Sequence, residues 1–168
     1  VAARVGQRAR RGRVGESARP APRRVFPSRV LEGADVSTPR DAVKARIDAI
    51  EESYEFFLAY AAQGLSSDQG AKSGAQLRDF LKKMELALDG LGDLFRDLAR
   101  AEGLEPPRVW DEMLRVVSSD ASDALAAVRL VSSRSGISSQ LIDNLNANIH
   151  LRALLTDLFL VDDLIDGR

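Results

Sequence analysis

From residue 38 onward the apolar positions recur at steps of three and four, the period of a helix with one buried face. Val43, Ile47, Ile50, Tyr54, Phe57, Leu58 and Ala61 make the first stripe. Thr38-Pro39-Arg40-Asp41 supplies its start: a hydroxyl cap, a proline for the first helical position and an acid beside the positive end of the helix dipole. Gly64 predicts the stop, and 65–73 read as a polar linker. Leu77, Leu81, Met84, Leu88, Leu91, Phe95 and Leu98, widened by Phe80 and Leu94, predict one second helix over 74–102, closed by Gly103.

Pro107 opens a third stripe of Trp110, Met113, Leu114, Val117, Ala121, Leu125 and Val128. Residues 132–136 interrupt the pattern. Ser138 or Ser139 then caps a fourth predicted helix that runs to 165. Its first face is Leu141, Ile142, Leu145 and Ile149. Beyond Leu151 it is apolar nearly all round, leaving only Arg152, Thr156 and Asp157 as a polar edge. Such a helix is expected to be buried on most sides, inside the fold or against a second copy. The four stripes and their short connections predict an all-α, up-and-down four-helix bundle over 36–168.

Charge separates this body from what precedes it. Residues 1–35 hold nine arginines, no lysine and three acids, whereas 36–168 hold 15 basic and 22 acidic residues. The first segment lacks a hydrophobic period and contains Pro20, Pro22 and Pro27, so it reads as a disordered basic segment. Three expectations stand for it. One is a misassigned start: the composition is that of translated GC-rich sequence, and Leu31-Glu32-Gly33 suits a ribosome-binding sequence ahead of a start at Val36. Another is a targeting tail, rich in arginine and poor in acids. The third is a nucleic-acid arm using Arg10, Arg11, Arg13, Arg23 and Arg24 on phosphates. The acidic body itself is not expected to bind nucleic acid.

Composition narrows the chemistry. The absence of cysteine excludes disulfides, thiolate metal sites and cysteine nucleophiles. It suits a reducing, cytoplasmic setting. A single histidine, His150, excludes multi-histidine metal sites within one protomer and reads as a surface or edge residue. The longest uninterrupted apolar run, 56–62, is far below the roughly 20 residues of a membrane span. Phosphate loops, zinc-protease and EF-hand motifs are absent, as are the carboxylate–histidine pairs of di-iron bundles.

Four constellations remain. Asp162, Asp163 and Asp166 form a D-D-x-x-D pattern whose carboxylates crowd one helical turn. Carboxylates so spaced suit Mg²⁺, which in turn bridges a diphosphate. Residues 158–166 resemble the first aspartate-rich motif of isoprenyl diphosphate synthases. That resemblance implies Mg²⁺ and an allylic diphosphate at these residues, although no second such motif occurs in this chain. Asn144, Asn148 and Arg152, at i, i+4 and i+8, predict a polar seam or small-ligand pocket, with Asn148 as a register-fixing residue. Gly90 and Gly92 mark a kink or the close approach of another helix. Phe56 and Tyr60, with Ala59, predict an exposed partner-binding patch beside the core stripe. Together these predict a non-enzymatic interaction, assembly or accessory subunit that binds a protein partner or itself as a homodimer. A Mg²⁺-dependent diphosphate site and nucleic-acid binding through the arginine-rich segment are the alternatives.

Overall fold

The computed structural model describes residues 38–167, apart from the side chain of Asp166. The basic segment 1–35 and the proposed start at Val36 lie outside the described residues. Six α-helices and no strand make up the described chain: α1 (Pro39–Ala61), α2 (Gly74–Leu88), α3 (Leu91–Glu102), α4 (Pro107–Ser132), α5 (Ser139–Asn146) and α6 (Ile149–Asp166). The expected all-α class is found. The expected count of four helices is corrected, because the second and fourth are each two helices.

The first break follows from Asp89-Gly90. Gly90 takes φ 73°, a left-handed conformation that costs a residue with a Cβ about 1–2 kcal/mol. Its carbonyl then accepts the amides of Asp93 and Leu94, opening α3. Arg46 of α1 holds the end of α2 by donating from Nη1 to the carbonyls of Leu86 and Asp89. Two residues later the backbone of Gly92 lies against α4. A Cβ there would stand 2.5 Å from both Cβ and Oγ of Ser118. Gly90 is thus the kink and Gly92 the close approach.

The second break is made by Asn148. Its side-chain oxygen accepts the amides of His150 and Leu151, each at 3.1 Å, and so caps α6. Asparagine is among the best residues for this position, because its short side chain reaches the free amides of the first turn. The caps expected from sequence at Thr38 and Ser138 are present, accepting from the amides of Asp41 and Leu141.

Helix α1 packs against α2, α3 and α5, while α4 packs against α2, α3, α5 and α6. The core between them takes Ile50 and Phe57 from α1, Leu81 and Met84 from α2, Phe95 from α3, Leu114 and Val128 from α4, Ile142 from α5 and Leu154 and Leu158 from α6. Among the described residues no helix is long and apolar enough to cross a membrane.

Candidate functional site

The expected polar linker after α1 is part of the core architecture. Asp68 is buried, and its carboxylate accepts from Arg78 Nε at 2.7 Å and from the Ile137 amide at 2.7 Å. Arg78 extends the tie by donating to the carbonyls of Ser132, Arg134 and Ser135. Burial raises the Asp68 carboxyl's affinity for a proton. The Arg78 hydrogen bond, the Ile137 amide and the Arg78 charge outweigh burial, and the net result lies below the usual carboxylate range. Nearby, Ser139 Oγ donates to the Tyr60 carbonyl and accepts from the Leu65 amide, which closes the α1–α5 corner. These groups are consumed by one another and hold the fold.

Tyr60 belongs to the same corner, which corrects the expected patch. Its side chain is 0% exposed, and its hydroxyl donates to the Ile137 carbonyl at 3.0 Å. Burial, with a smaller contribution from the Asp68 charge against the opposing Arg78, raises its phenol above the ordinary value. Phe56 is half-buried and stacks on Phe80 of α2, centroid to centroid at 4.3 Å. The pair Phe56 and Tyr60 is therefore α1–α2 and α1–α5 packing. The outward aromatic patch is not formed, because the packing helices cover the flank of α1 that the single-stripe reading left open.

The seam through Asn144, Asn148 and Arg152 is also interrupted. Asn144 is exposed and accepts from Gln140, Asn148 caps α6, and Arg152 is exposed one turn into α6. The buried polar residue is instead Asn146, whose side-chain amide has no hydrogen-bond partner among the described residues. Periodicity missed it because an unbroken helix places Asn148 on the inner face, whereas the break brings Asn146 there.

Asp162 is half-buried near α1, where its charge contributes, after burial and Asp48, to raising the Glu51 carboxyl. Asp163 is exposed, and the side chain of Asp166 lies outside the description. The metal reading of Asp162, Asp163 and Asp166 rests on the sequence pattern alone.

His150 has carboxylate neighbours that linear spacing does not reveal. Its Nδ1 lies 3.1 Å from Asp120 Oδ1 and 3.7 Å from Asp123 Oδ2, both on α4. Asp157, two turns along α6, is raised first by burial and then by the charge of Asp120. This cluster joins the first turn of α6 to the middle of α4. One imidazole and two carboxylates suit a hydrogen-bonded tie between helices.

Helix α6 carries the feature that its packing does not absorb. Leu151, Leu154, Leu155, Leu158, Val161 and Ile165 are buried and form its inner face. On the opposite side Ile149 is 74% exposed, Leu160 50% and Leu164 53%. Ala153 and Thr156 complete a stripe spaced 4, 3, 4 and 4 residues, spanning about 80° at 100° per residue. Phe159, 55% exposed, stands beside it in a groove shared with Glu51, Tyr54 and Glu55 of α1 and with Arg152, Leu155 and Thr156. An outward stripe of large apolar side chains at helical spacing has the form of a helix-packing face. The sequence signal for it was the nearly all-round apolar character of 151–161. The chain matches no protein-family model, no curated protein sequence and no solved structure, so its function is argued from this geometry.

Proposed function

We propose that residues 38–167 form a non-enzymatic interaction module, an assembly or accessory subunit whose docking surface is the outer face of α6. In this reading the six helices make a bundle of four rods, with α2–α3 and α5–α6 as broken rods. The observation that carries the proposal is the second apolar stripe on α6. Full burial of a side chain of this size contributes roughly 1.5–3 kcal/mol, and with Ile149, Phe159, Leu160 and Leu164 50–74% exposed about half or more of that is forfeited at each. The remaining polar groups support the same reading, since Asp68, Arg78, Ser139 and the His150 cluster bond within the fold.

The test compares the native mass of the full chain with that of Leu160→Lys, both purified gently and checked by circular dichroism. The proposal expects a stoichiometric complex, with itself or another protein, that is lost in the variant while helicity is unchanged. A wild-type chain that is monomeric, carries nothing and behaves like Leu160→Lys contradicts it.

A further inference from the structure

Beyond being apolar, the outer face of α6 is self-complementary. Under a two-fold axis perpendicular to the helix near Thr156, an antiparallel copy brings Ile149 opposite the partner's Leu164 and Ala153 opposite the partner's Leu160. The two-fold keeps each flank of the stripe on the same side. Arg152 and Asp163 lie on one flank of this helix, both exposed. The same operation sets each Arg152 about 3 Å along the axis from the partner's Asp163, within reach of the long arginine side chain, making two opposite-charge pairs beside one apolar seam. We infer that the face is occupied by a second copy of this chain, α6 against α6, antiparallel, with Arg152–Asp163 pairs fixing the register. This rests on the interaction reading above and names its partner.

An apolar stripe alone accepts any apolar surface, whereas a closed two-fold contact requires that the same patch complement itself. Charges flanking a helix seam select orientation and register. A parallel copy, related by a two-fold along the helix, would send each flank to the opposite side of the seam, so Arg152 would no longer face the partner's Asp163 and both pairs would be lost. Size sets the strength. Helix α6 has 18 residues and is about 27 Å long, so one pair of such helices buries less than the roughly 1,600 Å² of a standard stable interface. The expected species is a reversible dimer whose population depends on concentration.

The test is sedimentation equilibrium of the purified full chain over a wide concentration range, with Arg152→Asp, Asp163→Arg and the double variant. The expected result is a monomer–dimer equilibrium weakened about ten-fold or more by either single reversal, each of which counts twice across the two-fold. The double variant restores it. Circular dichroism of each variant separates a lost contact from a lost fold. A chain that remains monomeric while binding a different protein through α6 overturns the second copy and leaves the interaction reading standing. A monomer that binds nothing overturns both. A dimer indifferent to all three variants overturns the antiparallel α6 contact.

Discussion

Replacing Asp68 by Ala tests whether the segment after α1 is a structural tie or a linker. The substitution removes two charge-assisted hydrogen bonds, from Arg78 Nε and the Ile137 amide, each 2.7 Å long. Hydrogen bonds to charged groups contribute roughly 1.5–3 kcal/mol. The Arg78 half is discounted, because its side chain is 35% exposed and retains three carbonyl acceptors, so water replaces much of what it loses. The Ile137 half is not discounted, since that amide is buried and left without its acceptor. The expected loss is about 3 kcal/mol, measured by urea unfolding followed by circular dichroism. Asp68→Asn keeps an oxygen for the Ile137 amide and is expected to lose about 2 kcal/mol, mostly the charge interaction. Asp48→Asn, an exposed pair with Lys44 on α1, is the control and should change stability by less than about 0.5 kcal/mol. Acid sharpens the test. The Asp68 carboxyl is held low in the folded chain, so its contribution is complete above the unfolded value of about 3.9 and is lost as pH falls through the lower folded value. Asp68→Asn should therefore show a shallower loss of stability below pH 4 than wild type. An Asp68→Ala variant as stable as the control, with an unchanged acid limb, would refute the reasoning.

Gly92→Ala is expected to destabilise by about 1–3 kcal/mol despite alanine's better helix propensity, because its Cβ collides with Ser118; Ser118→Gly should recover part of the loss in thermal unfolding. Gly90→Ala should cost about 1 kcal/mol for a different reason, the positive φ, and gain nothing from Ser118→Gly. Asp157→Asn is expected to raise stability near neutral pH. Its carboxyl is raised by burial and then by Asp120, so the charged form burdens the folded state above the unfolded pKa. The advantage over wild type should therefore disappear as both are titrated below pH 4, which a pH series of urea midpoints reads directly.

The helical class and most core positions were legible because a 3.6-residue apolar period survives whatever the helices pack against. Val43, Ile47, Phe57, Leu81, Leu114 and Leu158 all lie inside as that period requires. Helix breaks were harder to read, since the stripe Leu88–Leu91–Phe95 continues through Gly90, and Leu145–Ile149 continues through Asn148. One left-handed glycine and one side-chain cap are enough to interrupt helices whose periodicity looks unbroken. Site residues were legible only where local spacing decides. Tyr60 and Asp68 depend on contacts with Ile137, some 70 residues away, and His150 meets α4 through tertiary packing. No local pattern encodes those distances. The surplus apolar surface of α6 was visible in composition, but its outward stripe required knowing which side α4 covers.

The chain's lack of cysteine makes the most direct test of the α6 interface clean. A single cysteine introduced by Thr156→Cys would lie beside the two-fold axis, where its partner's thiol stands opposite. Under mild oxidation the account expects rapid, near-complete disulfide-linked dimer, suppressed by Leu160→Lys in the same chain. Asp93→Cys, on an 82% exposed side chain of α3, should cross-link slowly. Equal rates at the two positions, or no cross-link at Thr156→Cys at concentrations where the chain sediments as a dimer, would contradict an antiparallel α6 contact.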